Sequence, residues 1–376
     1  MTLSDYSISV RRDISESIVA ELDGHKALGA GFSGDSAEIF SLMKEYVLSG
    51  KMLRGILACL GSELFSVGKG PSPEALSLAA ALEFFQAGLL VHDDIMDKDE
   101  IRRGNPTMHK IFEAMEARAE AGSSAGSSRE PMDFSALGEA IGICVGDMYY
   151  FIAWKLISDI SHRLESRLID GLPARLGALF SRELVDVCLA QIKDVRLGTH
   201  KTFPPLSDVL EVYAYKTARY TICLPLCAGA AIAGRSDAIP ALEELGLNLG
   251  LLFQLKDDYL GLFGEAEALG KPVGSDIREG KKTPFMILLA QRLSADEKPR
   301  FNSIFGNRSI ERKDIDYVRN LVVAHGIDEE LRILSTTYAQ KSEVSLAKLR
   351  AEVSGLDTGM MAILEEFIRY SLERKF

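Results

Sequence analysis

LLVHDDIMDKDEIRRGNPT, residues 89 to 107 of the 376-residue chain, is the stretch from which the rest can be read. Asp93 and Asp97 stand one helical turn apart, so on a helix their carboxylates share a face and can clasp a hard cation together. Asp94 falls about 100° round the helix from Asp93 and takes a supporting place. Upstream, Leu78, Leu82, Phe85 and Leu89 recur at helical spacing and carry an apolar helix from Leu78 to Val91 straight into the acidic run. Carboxylates at the end of such a helix belong at the mouth of an apolar pocket, which suits chemistry that joins a polar head to an apolar tail. A single DDxxD run is better explained as a solvated helix end, so the reading needs a second element.

LGLLFQLKDDYLGLFG, residues 249 to 264, supplies it. Asp257 and Asp258 again follow an apolar stripe, with Gln254 a turn above. Two acidic clusters at the ends of apolar helices are expected to face each other across one cavity and hold Mg²⁺ ions between them. Mg²⁺ takes one or two carboxylates and completes its shell with water and substrate phosphates. Elsewhere apolar residues keep helical spacing, Gly and Pro fall between the periodic segments, and alternating strand-like runs are scarce. The expectation is a large all-α bundle forming one domain over residues 1–376. Residues 116–131, EARAEAGSSAGSSREP, are too poor in apolar groups to offset ordering entropy and read as a mobile insertion between helices.

Composition bounds the function. The chain has 47% hydrophobic and 26% charged residues, enough for a sizeable core. A net charge of −11 argues against nucleic-acid binding, which clustered Lys and Arg drive. No stretch approaches the roughly 20 apolar residues of a membrane span, the best being the short, Ala- and Gly-rich Leu226 to Gly234, and the first residues hold no signal-like core. Cysteines 59, 144, 188, 223 and 227 form no CxxC pair, so neither a disulfide framework nor a zinc cluster is indicated, and a reducing cytoplasm is expected. An acidic protein that binds phosphates must supply positive charge locally, from metal ions and placed Lys and Arg. In SGKMLRG, residues 49–55, Lys51 and Arg54 share a helix face and offer a point charge and a planar fork. Gln86 interrupts an apolar face, where an amide is costly without a partner. His92 has no second histidine at ligand spacing and reads as a local hydrogen-bonding or packing residue.

With both acidic motifs in place, the chain resembles the trans-prenyl diphosphate synthases. Asp93, Asp94 and Asp97 match the family's DDxxD, and Arg102, Arg103, Gly104, Pro106 and Thr107 match its RRGxPT; the likeness runs from about residue 40 to about residue 300. The second motif departs from the pattern, because Gly261 stands where a third aspartate is common. The resemblance implies an isoprenoid-synthase bundle with a central cavity, acting as a homodimer with helices packed across the interface. It implies head-to-tail condensation of isopentenyl diphosphate with an allylic diphosphate, assisted by about three Mg²⁺ ions on Asp93, Asp97 and Asp257. Metals and cations would draw off pyrophosphate, leaving an allylic cation for the isopentenyl double bond to attack.

The same resemblance assigns Lys51, Arg54 and Gln86 to diphosphate binding, Arg102 to the allylic diphosphate and Arg103 to isopentenyl diphosphate. Lys216, Lys271 and Lys281 would neutralise the departing diphosphate, while Thr217, Gln254 and the Lys216 carbonyl would face the cation. Gln191 and Asp194 look like a GQxxD element in which Ala190 replaces glycine; Arg374 and Lys375 are a weaker match for isopentenyl binding. The Gly-rich stretch 264–284 is the expected lid, shielding the cation from water. Gly88 and Leu89 occupy the positions where aromatics close the product tunnel in many short-chain members. Phe85, with Phe84 beside it, lies about one turn, roughly 5 Å, deeper, which points to geranylgeranyl diphosphate, with farnesyl or a longer chain as the alternative. A class I terpene cyclase is disfavoured by Lys51, Arg54 and the arginine pair. A non-catalytic partner subunit is disfavoured by the retained aspartates.

Overall fold

The structure, a computed structural model, describes residues 1–29, 31, 35–66, 70–122, 132–165, 172–264 and 274–373. The all-α expectation holds. Helices α1 (Leu3–Gly29), α2 (Ser36–Leu48), α3 (Leu53–Glu63), α4 (Pro73–Asp97), α5 (Met108–Gly122), α6 (Phe134–Glu165), α7 (Leu172–Thr199), α8 (Leu206–Val212), α9 (Leu224–Ile232) and α10 (Ile239–Phe263) are followed by α11 (Ser275–Glu279), α12 (Pro284–Arg292), α13 (Lys298–Ile304), α14 (Arg312–Ala324), α15 (Ile327–Glu352) and α16 (Thr358–Glu373). A π-helical run, Tyr213–Cys223, joins α8 to α9. The two-residue strands β1 (Ile101–Arg102) and β2 (Asn105–Pro106) are the only strands among the described residues. The chain divides into two compact units.

One unit comprises Ser7–Cys59 and Pro71–Pro173, with α4 as its spine. Ser72 caps α4 by accepting from the Ala75 N–H at 3.1 Å, and Pro73 occupies the first helical position. Leu78, Leu82, Phe84, Phe85 and Val91 are buried. At Gly88 a Cβ would lie 2.6 Å from Tyr150 Cε1 and 2.8 Å from the Gly146 carbonyl of α6, so only glycine lets the two helices come this close. Two helices, Pro73–Asp97 and Phe134–Leu164, are long and apolar enough to cross a bilayer, contrary to the sequence reading. In both helices a few polar residues are interspersed among the apolar ones, so neither stands out as a continuous apolar run. In the α4 window 67% of the residues are buried within the protein, as expected of a core helix.

The other unit comprises Met1–Tyr6, Leu60–Gly70 and Ala174–Phe376, built on α10. The π run rests on α10, where a Cβ at Gly250 would sit 2.3 Å from Ala218 Cα. Phe285, Phe301, Ile315 and Val318 form a further core with α12 to α15.

Two loop expectations change. Glu116–Gly122 are not loop but the last two turns of α5, while 123–131 lie outside the described residues. Ala and Glu are strong helix formers, and this propensity outweighs the scarcity of apolar groups. Within the stretch expected as a lid, α11 stands between Gly274 and Gly280, both at positive φ (75° and 70°); residues 265–273 lie outside the described residues.

Candidate active site

The end of α4 is set by a Schellman turn. Lys98 adopts φ 56°, ψ 40°, its N–H bonds back to the Ile95 carbonyl, and the Asp99 N–H reaches the Asp94 carbonyl at 2.9 Å. Asp93 and Asp97 are thereby fixed on the closing turns of the helix, where the dipole is negative. Bare carboxylates there are unfavourable by about 0.3–1 kcal/mol each, and a bound cation reverses the sign.

The RRGNPT residues fold as a tight hairpin. Ile101 pairs with Pro106 and Arg102 with Asn105, leaving Arg103 (φ 54°) and Gly104 (φ 78°) in the turn. Two successive positive φ values match the right-handed twist of the strands, and Gly104 adopts its value at no steric cost. The hairpin returns Arg102 to α4, where its Nε donates to Asp94 Oδ1 and its Nη2 forms an ion pair with the same oxygen; Nη2 also lies 3.5 Å from Asp99 and 3.9 Å from Asp93. Asp94, 1% exposed, accepts as well from the Tyr46 hydroxyl at 3.1 Å. Burial pushes its carboxyl above the ordinary range, against the pull of Arg102 and Tyr46. Arg103 Nη1 donates to Ser49 Oγ at 3.1 Å, beside Gly50 and exposed Lys51. Buried Glu83 accepts the Gly55 N–H at 2.8 Å and so ties α4 to the turn carrying Arg54. Gln86 is half-buried on α4.

Gly88, Phe85 and His92 face α6. Phe85 is buried, with Trp154 edge-on at 5.5 Å and Tyr150 at 6.3 Å. His92 Nε2 lies 3.1 Å from the Ile143 carbonyl and its ring meets Tyr150 edge-on, a local packing role. Leu89 is half-buried.

In the α10 unit the π run presents Lys216 and Thr217. Thr217 Oγ1 donates to Gln254 Oε1 at 2.9 Å, Gln254 Nε2 donates to Asp258 Oδ1 at 3.1 Å, and the Tyr213 hydroxyl donates to Asp258 Oδ2 at 2.6 Å. Asp258 is buried and its carboxyl is driven well above the usual range by burial, with Asp276 and Asp257 adding to the effect. Asp257 is half-buried one position earlier. Lys216 Nζ donates to Asp194 at 2.8 Å, which joins α7 to the π run, and Gln191 is half-buried one turn before Asp194. Gly261 and α11 meet directly: the Gly274 N–H donates to the Gly261 carbonyl at 3.2 Å, and Asp276 Oδ2 lies 3.0 Å from where a Cβ at Gly261 would stand. Lys281 pairs with Glu279 at 2.9 Å, while neighbouring Lys282 donates to the carbonyls of Leu197 and His200. Lys271, Arg374 and Lys375 lie outside the described residues.

Tyr46, Glu83, Tyr213 and Asp276 were not anticipated. Each acts across the fold on a residue distant in sequence, so no spacing rule could single it out.

In each unit the donors fit a hard divalent cation, since Asp93 and Asp97 in one, and Asp257 and Asp276 in the other, offer only oxygen. Among the described residues no three His, Cys, Asp or Glu groups form a closed cluster. Mg²⁺, which keeps waters and takes phosphate oxygens, needs none.

Residues 37–322 match the model of the polyprenyl synthetase family. The chain is 29% identical over 308 residues to the geranylgeranyl diphosphate synthase of Sulfolobus acidocaldarius, covering 81% of this chain and 83% of that one. It is 32% identical over 290 residues to the farnesyl diphosphate synthase of Geobacillus stearothermophilus, with 73% and 84% covered. Its fold is similar, at a TM-score of 0.85 and 30% identity over all of both chains, to a Corynebacterium glutamicum geranylgeranyl pyrophosphate synthase complexed with isoprenyl diphosphate and magnesium.

Proposed function

The chain belongs to the polyprenyl synthetase family of prenyltransferases, and we propose that it condenses isopentenyl diphosphate head to tail with an allylic diphosphate to give a longer trans-prenyl diphosphate, geranylgeranyl diphosphate being the product. The observation that carries this reading is the α4 terminus. Asp93 and Asp97 stand at a negative helix end while Asp94 between them is locked by Arg102 and Tyr46, an arrangement suited to a cation.

Asp93, Asp97 and Asp257 would hold Mg²⁺, about three ions in all, with Asp276 supplying the carboxylate that Gly261 lacks. Bound Mg²⁺ would neutralise charge on the diphosphate as the allylic carbon–oxygen bond breaks. Lys51, Arg54, Gln86 and Arg103 bind the isopentenyl diphosphate, and Arg102, Lys216, Lys271 and Lys281 the allylic one. Because Thr217 donates a hydrogen bond to Gln254, its oxygen lone pairs are left to stabilise a developing cation. Gln254 is held in that orientation by Asp258. The isopentenyl double bond attacks the allylic carbon, and the released diphosphate takes the proton lost from the new chain.

Both units act in one domain, and the enzyme works in the cytoplasm as a homodimer. Phe151 (73% exposed), Ile143 and Trp154 on α6 form an apolar face that a second copy would cover. Phe85 would set the tunnel floor, so Phe85→Ala should lengthen the product on chromatography; unchanged length places the floor elsewhere. The decisive assay supplies radiolabelled isopentenyl diphosphate with primers of increasing length, with and without chelator, and sizes the products. Hydrocarbon formed from allylic diphosphate alone would indicate a cyclase, and no turnover by the purified chain a partner subunit.

A further inference from the structure

The π run that carries Lys216 and Thr217 is eleven residues long, whereas π-helical geometry is rare and occurs mostly as single turns. Such a run needs support from its surroundings, and three supports are present. Its middle rests against Gly250 of α10, a steric seat. Its first residue, Tyr213, is tied to Asp258. Its second half is gripped from α7: Arg219 Nε donates to Glu183 Oε2 at 3.0 Å and Nη2 donates to Oε1 of the same carboxylate.

In this fork-to-fork contact Glu183 is buried, 1% exposed, and Arg219 is half-buried two residues beyond Thr217. A planar guanidinium held at two points fixes direction as well as distance. We propose that the Glu183–Arg219 pair sets the register of the π run, making both positioning residues for Lys216 and Thr217. The inference rests on the reading that those two residues serve the diphosphate and the cation.

The pair has a pH dependence. Facing Glu183 are Arg182 (3.0 Å) and Asp186 from its own helix, Arg219 and Cys223 from the π run, Cys227 from α9 and Glu243 from α10. Burial, with Asp186 and Glu243 adding to it against Arg182, pushes the Glu183 carboxyl up to about 7. Below that pH the grip is between a neutral acid and a cation; above it, between full charges.

The test measures kcat and KM for isopentenyl incorporation by the full chain from pH 6 to 8.5. Wild type should gain kcat as pH rises through about 7. Glu183→Gln should lose that limb and run at ~100-fold lower kcat, the size of a small misplacement of reacting groups, with KM nearly unchanged. Arg219→Lys should recover part of what Arg219→Met loses. Should Glu183→Gln not fold, Glu183→Asp, which keeps the charge and shortens the reach, must show the lowered kcat with the limb retained. A folded Glu183→Gln enzyme with the wild-type limb, or Arg219→Met at wild-type kcat, overturns the proposal. Lys216→Ala separates the two layers: normal turnover there overturns the underlying reading as well, whereas loss there with unaffected Glu183 and Arg219 variants overturns the positioning role alone.

Discussion

The ends of α4 and α10 solve one problem with different partners. In each, an apolar helix reaches a pair of adjacent aspartates whose first member is half-buried and whose second is buried and held by a tyrosine hydroxyl, Tyr46 at 3.1 Å or Tyr213 at 2.6 Å. The remaining partners differ. Asp94 binds a guanidinium carried on a hairpin, while Asp258 binds the amide of Gln254, which continues to Thr217. The α4 lock is ionic and anchors a loop. The α10 lock is built from neutral donors and orients a polar chain.

The first consequence concerns the leading aspartates. If they face the cations, Asp93→Ala and Asp257→Ala should each lower turnover ~10³-fold or more, on the scale of lost transition-state charge stabilisation, while circular dichroism stays normal. Near-normal turnover in either would break the parallel between the two ends.

The second aspartates should separate by stability. Asp94→Asn takes the nearest carboxylate from half-buried Arg102, leaving it Asp99 at 3.5 Å and Asp93 at 3.9 Å, and should cost ~2–3 kcal/mol in urea unfolding. Asp258→Asn keeps an oxygen for Tyr213 but loses the acceptor for Gln254 Nε2, and should cost about 1 kcal/mol, less than Asp94→Asn. Equal losses would erase the distinction between an ionic and a neutral lock.

Both helices also carry a glycine contact before the acids, but against different atoms. At Gly250 a Cβ would strike backbone, Ala218 Cα at 2.3 Å, next to Thr217. At Gly88 the nearest atom belongs to the Tyr150 ring, which can turn, although the Gly146 carbonyl at 2.8 Å cannot. Gly250→Ala should therefore destabilise by about 3 kcal/mol and Gly88→Ala by about 2 kcal/mol. Only the former should lower kcat through Thr217. A larger loss at Gly88 would show that α6, not the π run, is the tighter seat.

What sequence made legible follows from range. Asp93 with Asp97 and Lys51 with Arg54 are local pairs, and helical geometry alone puts each pair on one face. Arg102 and Gly104 were legible as a motif, although the hairpin that brings Arg102 to Asp94 emerged only with the fold. Tyr46, Tyr213 and Glu183 act through contacts with residues 36 to 48 positions away, and nothing in their neighbours marks them. The π run escaped notice because YAYKTARYTIC has the composition of any amphipathic helix; its wider turn depends on what it rests against. Glu116–Gly122 misled in the other direction, since composition suggested disorder where Ala and Glu propensity gives helix.

The smallest effect lies at the difference that sequence did reveal, the missing third aspartate. Gly261 leaves space that Asp276 fills from α11, its Oδ2 3.0 Å from where a Cβ at 261 would stand. If Asp276 serves as the replacement carboxylate, restoring the aspartate should not help. Gly261→Asp places like charges side by side and should lower turnover about twofold. Asp276→Asn should raise the Mg²⁺ concentration for half-maximal activity, and weaken Mn²⁺ binding measured by electron paramagnetic resonance, ~10-fold, as expected for a group that supports a metal site. Combining the two should recover most of the loss, because the carboxylate is then supplied from α10. A Gly261→Asp enzyme more active than wild type, together with an Asp276→Asn enzyme of normal Mn²⁺ affinity, would mean that the α10 end works with Asp257 alone and is a simpler site than the α4 end.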